Sequence, residues 1–189
     1  MKSWSVRPVV FLLMICSMAS ASADDALWQK LKTQENLVIF MRHAYSEGGN
    51  PLFWDSSGYC RNESRLNDAG KLLAHKIGNE FLAHQLNPRV ISSPMCRCLE
   101  TAQIAFHEQS VSDPLLREIA SADEQGVTAF EEKARVLISD MVGLRPVVFV
   151  SHRPNINQLT MELIAEGELL VAEVSEEGEI EVLGKIALN

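Results

Sequence analysis

The sequence predicts an α/β fold, a three-layer α/β/α sandwich around a mostly parallel central sheet. Three observations lead there. Leu37-Val38-Ile39-Phe40-Met41 and Pro146-Val147-Val148-Phe149-Val150 are unbroken apolar runs, the pattern of strands covered on both faces. Strands and helices alternate in the order βαβαβ, which favours parallel strands with helices on both sides. Composition is that of a globular chain: 189 residues, 47% hydrophobic and 22% charged, enough to bury a sizeable core in one domain.

Residues 1–23 have the three parts of a secretory signal peptide. Lys2 and Arg7 make a basic start, Val9 to Ile15 is apolar, and Ala21-Ser22-Ala23 offers a small-x-small cleavage pattern. The apolar stretch is too short for a membrane span, which needs roughly 20 residues. Ile15 is too bulky for the position before a lipidated cysteine at Cys16. The expectation is cleavage after Ala23, a periplasmic location and no stable membrane insertion. Removing this segment takes two positive charges and no acid, moving the net charge from −8 to −10. So acidic a chain is not expected to bind nucleic acid or anionic lipid.

Asp25 to Gln34 reads as a short amphipathic helix, followed by the first strand at 37–41. Residues 44–66 hold three glycines and a proline and read as a long loop, which in a compact domain is usually functional or disordered. Phe53, Trp54 and Tyr59 are expected to pack it down. Asn67 or Asp68 can cap a helix to about Leu86, ended by Pro88. Arg89 to Ser92 is a strand, and Ser93-Pro94 is expected to open a helix to about His107 with proline at its first position. Residues 108–126 read as irregular and acidic, Val127 to Val142 as a helix, 146–150 as a strand, and Ser151 to about Ala165 as a helix. Leu169–Val174 and Ile180–Ile186 read as a terminal hairpin.

An exported chain favours disulfides. Past the signal remain Cys60, Cys96 and Cys98, so one bridge and one free thiol are expected. Cys96 and Cys98 would lie about 200° apart around a helix, so Cys60 is expected to pair with one of them. Cys-x-Cys with one remote cysteine lacks zinc-site spacing and a clear fourth ligand.

In such sheets ligands bind beyond the carboxyl ends of the strands. There the sequence puts Arg42-His43, Ser93-Pro94 with Arg97 one turn on, and Ser151-His152. Two of five histidines and two arginines converge, which points to phosphate chemistry. The arginine fork matches phosphate oxygens, and helix N-termini add backbone donors. A neutral imidazole attacks phosphorus without charge repulsion, and nearby arginines hold it unprotonated. A second histidine can donate to a phosphoryl oxygen as charge develops. His75, His84 and His107 lie away from strand ends and read as surface residues.

Four blocks, in order, resemble the histidine phosphatase superfamily with the phosphoglycerate mutase-like fold. An apolar strand ends in Arg42-His43-Ala44, close to the family's Arg-His-Gly. Leu66-Asn67-Asp68-Ala69-Gly70 is similar to its Leu-Thr-x-x-Gly helix start. Ser92 to Ala102 and Val148 to His152 resemble its later blocks, so the resemblance covers about residues 37–165. It implies His43 as the nucleophile that becomes phosphohistidine, Arg42 and Arg97 as the phosphoryl clamp, and His152 as the group that completes the pocket. Leu116-Arg117-Glu118 is similar to the family's Leu-x-Glu context and implies Glu118 as the acid that protonates the leaving group. Arg61 and Arg65 are candidates for recognising a further anionic group on the substrate, and Arg153, next to His152, is a candidate for touching it.

The reaction so implied needs no metal or other cofactor, because arginines supply the charge stabilisation. The expected partner is a phosphorylated small molecule or glycan, hydrolysed by a phosphomonoesterase of the compact exported branch of the family. Heptose phosphate of the lipopolysaccharide core and small sugar phosphates are the substrates it suggests. Two alternatives stand beside this: a non-catalytic periplasmic phosphate- or phosphoglycan-binding protein, and a phosphohistidine protein phosphatase, whose similar-sized family members are cytosolic.

Overall fold

The structure, a computed structural model, describes residues 23–107, 110–143, 145–175 and 177–188. The expected signal segment therefore lies outside the described residues except for Ala23. Among the described residues no helix is long and apolar enough to cross a membrane.

Helices run over α1 Ala23–Thr33, α2 Asp68–Ala83, α3 Cys96–Phe106, α4 Glu124–Met141 and α5 Arg153–Thr160. The strands are β1 Leu37–Arg42, β2 Ser46–Glu47, β3 Arg65–Leu66, β4 Arg89–Ser92, β5 Ser110–Ser112, β6 Val147–Ser151, β7 Leu169–Val174 and β8 Ile180–Ile186. Six of them form one sheet in the order β5-β4-β6-β1-β7-β8. The first four strands of that order are parallel, while β7 and β8 are antiparallel to their neighbours.

The two apolar runs, β1 and β6, lie side by side in the middle of this sheet, and this explains why neither alternates. Leu37, Ile39 and Met41 point to the layer of α1, α2 and α3, where they meet Trp28, Ile77, Phe81 and Ala102. Val38 and Phe40 point to the layer of α4 and α5, against Phe130, Ile138 and Ile156. Three layers result, as expected from the βαβ alternation.

Several boundaries differ from expectation for local reasons. Pro94 is not the first residue of α3. Ser93 N still donates to Val150 O at 2.8 Å, so the sheet ladder runs on and the helix starts only after Met95. α4 begins three residues early because the Asp123 side chain accepts from Gly126 N and caps it there. α5 stops at Thr160 because Met161 adopts a left-handed conformation, φ 59°. The segment read as irregular contains the edge strand β5 and a 3-10 turn over Pro114–Leu116.

Of the long loop's aromatic residues only Trp54 is half-buried, under the Arg117 guanidinium; Phe53 and Tyr59 do not pack it down. Phe53 is 43% exposed and Tyr59 73%. Polar contacts hold it instead. The buried Glu63 carboxylate accepts from Asp55 N at 2.7 Å and from Cys96 N at 2.8 Å. Ser64 Oγ donates to Gly48 O at 2.7 Å, and a Cys60–Cys96 disulfide ties the loop to the start of α3. Cys98 is the free, buried thiol. Where the loop enters α2, a Cβ on Gly70 would sit 2.0 Å from Tyr45 O, so only glycine allows this approach.

Candidate active site

β6 lies between β4 and β1, and its chain leaves toward the α4–α5 layer. The chains leaving β1 and β4 turn toward α2 and α3. Connections parting to opposite faces open a crevice at the carboxyl ends of these three strands. His43 follows β1 and donates its backbone N–H to Ser151 O at 3.1 Å. His152 follows β6 as the N-cap of α5, and Arg97 is the second residue of α3. All three are buried: His43 is 7% exposed, Arg97 and His152 1% each.

Arg97 organises the cluster. Its Nε donates to His43 Nε2 at 3.0 Å, and its Nη2 donates to His152 Nδ1 at 3.0 Å and to Glu118 Oε2 at 2.5 Å. Arginine is an obligate donor, so both imidazole nitrogens must carry lone pairs. The other nitrogen of each ring then carries the proton. His43 Nδ1–H donates to Ala44 O at 2.9 Å, and His152 Nε2–H donates to Ser93 Oγ at 2.9 Å. The tautomer of His43 is therefore set, with its Nε2 lone pair facing the cleft. Ala44 itself is pinned, its N–H donating to Thr101 Oγ1 at 3.0 Å, and that hydroxyl in turn donates to Arg97 O at 2.7 Å.

Electrostatics favour a neutral pair of imidazoles. Burial lowers the His43 pKa to about 3, with Arg97 and Arg42 adding to the effect against the Ala44 hydrogen bond. His152 lies well below its ordinary value, first from burial, then from Arg97, His43 and Arg42. Glu118 moves the other way. Burial raises its pKa although Arg97 and Arg42 pull it down. The ion pair with Arg97 opposes the shift but does not cancel it, so the proton is held more tightly than on a free glutamate. Burial pushes the Cys98 thiol up to about 12, so it stays neutral beside His152, 3.6 Å from Nε2.

Two guanidinium nitrogens of the site's arginines have no hydrogen-bond partner among the described residues. Arg97 Nη1 and Arg42 Nε are buried and unpaired, although Arg42 Nη2 meets Glu166 Oε1 at 2.6 Å. A buried guanidinium N–H left unpaired is costly. A tetrahedral oxyanion between the two arginines would satisfy both.

The structure thus brings together His43, Arg42, Arg97, His152 and Glu118. Arg153 is exposed at the start of α5, close enough for its charge to act on Arg42 and Glu118. Arg65 and Arg61 are directed elsewhere. Arg65 forms an ion pair with Glu100, its Nε 2.6 Å from Oε1, and the Arg61 guanidinium lies 5.1 Å over the Tyr59 ring. His75 and His107 are exposed, whereas His84 is half-buried and stacked on Trp28 at 4.4 Å.

Sequence reasoning passed over Ser93, Thr101, Glu166 and Asn155. Ser93 and Thr101 lay inside a block already singled out, one helical turn or less from Arg97. Nothing local marked Glu166. Asn155 grips both sides of Glu118, accepting from Ile119 N at 3.3 Å and donating to Arg117 O at 2.8 Å. Among the described residues no three His, Cys, Asp or Glu side chains gather as metal ligands.

Comparison with known proteins agrees with this fold. No curated protein matches the chain in sequence. Solved structures share the fold. The protein histidine phosphatase SixA, determined with tungstate, superposes with a TM-score of 0.57 at 16% identity, covering 80% of this chain and 96% of that one. A phosphoglycerate mutase from Thermus thermophilus gives 0.59 at 17% identity, covering 81% and 99%. A phosphoserine phosphatase from Entamoeba histolytica, in complex with 3-phosphoglyceric acid, gives 0.57 at 15%, covering 81% and 98%. The family model of the histidine phosphatase superfamily (branch 1) matches residues 38–139, more than half of the sequence. With that match, and with the mostly parallel sheet of phosphoglycerate mutase-like proteins beneath the paired histidines, the chain belongs to the histidine phosphatase superfamily.

Proposed function

We propose that the protein is a metal-independent phosphomonoesterase that works through a phosphohistidine at His43. The observation that carries this reading is the lone pair of His43 Nε2, held toward the cleft by the Nδ1–H bond to Ala44 O and flanked by Arg97. As the ester binds, Arg97 Nε–H passes from that lone pair to a phosphoryl oxygen, and Arg42 Nε and Arg97 Nη1 gain partners. The phosphoryl dianion beside Glu118 raises its pKa further, so the carboxyl takes up a proton. His43 Nε2 then bonds to phosphorus, the P–O bond to the alcohol breaks, and Glu118 gives its proton to the departing oxygen. In the second step water attacks phosphorus, Glu118 accepts its proton, and the N–P bond breaks to release phosphate. Arg42 and Arg97 carry the charge that develops on the equatorial oxygens, and His152 stays neutral to complete the pocket.

The signal-peptide pattern supports a periplasmic or envelope ester as substrate, such as a core heptose phosphate or a sugar phosphate. A second reading is a phosphohistidine protein phosphatase, since a protein histidine phosphatase, SixA, shares the fold over 96% of its own chain, as the phosphoglycerate mutase and the phosphoserine phosphatase also do. The test is hydrolysis of para-nitrophenyl phosphate, sugar phosphates and a phosphohistidine peptide by the purified protein in EDTA, beside His43→Ala. Turnover that vanishes in the variant supports the mechanism, and the preferred substrate separates the two readings. Folded protein that binds vanadate and turns over none of the three would make it a phosphate-binding protein instead.

A further inference from the structure

A groove of about 520 Å³ is lined by Glu118, Trp54, Phe53, Met95 and Leu115 among others. Four features of it stand out. First, Glu118 lines it, and the same carboxylate bonds Arg97, so the groove adjoins the cluster around His43. Second, its aromatic wall does not belong to the core. Polar contacts and the disulfide hold loop 44–66, leaving Phe53 43% exposed. Third, Trp54 is held in place. The Arg117 guanidinium stacks 4.7 Å from its ring centroid, and Arg117 Nε donates to Pro114 O at 3.3 Å. Fourth, the volume is that of a ligand-binding cleft, far larger than a phosphoryl group needs.

We infer that this groove selects the alcohol part of the substrate, and that this part is a ring with an apolar face, a sugar or an aryl group, rather than a short acyclic chain. The inference rests on the phosphatase reading and deepens it. Stacking a ring on Trp54 also removes apolar surface of the exposed Phe53 and the half-buried Leu115 from water, an advantage a methyl group cannot exploit.

Phosphonates test this without turnover. Binding of methylphosphonate, benzylphosphonate and the phosphonate isostere of glucose 6-phosphate is measured by calorimetry on the wild-type protein, Trp54→Ala and Phe53→Ala. The expected result is at least tenfold tighter binding of one or both ring ligands than of methylphosphonate, in line with the discrimination apolar pockets give. Which ring binds tighter distinguishes a sugar from an aryl source. Trp54→Ala is expected to bring the ratio close to one, and Phe53→Ala to reduce it. Equal affinities in the wild type, no binding of any phosphonate, or a ratio unmoved by both variants would overturn the inference. The phosphatase reading fails separately, by absence of His43-dependent hydrolysis from protein that still binds phosphonates.

Discussion

Glu118→Gln separates an acid from a mere hydrogen-bond partner. Glutamine keeps the size of the side chain, and its carbonyl can still accept from Arg97 Nη2, now 2.5 Å from Glu118 Oε2. What disappears is the proton for the leaving oxygen. An alkoxide leaves badly without it, whereas para-nitrophenolate leaves well enough alone. General acid catalysis contributes about 10²–10⁴ in rate, or about 3–5 kcal/mol of barrier. The variant should therefore lose about 10²–10⁴ in kcat/KM on benzyl phosphate and less than about tenfold on para-nitrophenyl phosphate. The pH profile adds an independent sign. Glu118 is the acid only when protonated, so wild-type activity on benzyl phosphate should fall as pH rises through its raised pKa. In Glu118→Gln that alkaline limb should be absent. The assay is phosphate release under kcat/KM conditions for both esters across the pH range. Equal losses on the two esters would refute the role, because they would show Glu118 acting only through Arg97. No loss on either would refute it more simply.

Three further predictions follow from the same geometry. Burial and the arginines hold His43 at about 3 instead of 6.5, so the acid limb of kcat/KM on para-nitrophenyl phosphate should lie far below pH 6. The unfolded chain takes up this proton first, so the stability from His43 is complete above 6.5 and lost as pH falls toward 3. That loss is on the order of 5 kcal/mol, and urea titrations at several pH values should show it reduced in His43→Asn. Replacing both Cys60 and Cys96 by alanine opens a cross-link between residues 36 apart and should cost about 4 kcal/mol in urea denaturation, whereas a loss below about 1 kcal/mol would contradict loop-closure reasoning. Asn155→Ala should cost about 1–3 kcal/mol of stability, because it orphans Arg117 O and Ile119 N. If Asn155 positions Glu118, benzyl phosphate turnover should also fall about tenfold more than para-nitrophenyl phosphate turnover, a split that mere destabilisation would not produce.

The cluster of His43, Arg42, Arg97 and His152 was legible because its members follow directly from strand ends. An apolar run buried on both faces marks a central strand, and a parallel sheet aligns the carboxyl ends of such strands. Arg42, His43 and His152 needed no more than that, and Arg97 needed only the first turn of a helix. Glu118 was legible through a short family-like motif. Segment 44–66 was legible as a loop, but Phe53 and Tyr59 were misread as packing it down, because aromatic residues usually seek cover. The contacts that hold it, Glu63 to Asp55 N and Cys96 N, span residues whose pairing no local pattern announces. Arg61 and Arg65 were drawn toward the substrate by charge alone, and nothing in the sequence revealed that Tyr59 and Glu100 engage them.

By itself the sequence determined the layered α/β class, the two central strands, the terminal hairpin and the residues at the strand ends. These depend on periodicity and on chain order, both of which are local. The tertiary structure decided the rest. It placed β7 antiparallel against β1, and made Ser110–Ser112 an edge strand although three residues carry no readable period. It chose Cys96 over Cys98 as the partner of Cys60, gave Arg42 to Glu166, and left Trp54 and Phe53 lining the groove beyond Glu118. Each of these joins side chains or strands distant in the chain. Such pairings depend on where packing and register deliver two surfaces, and no short stretch of residues encodes that position.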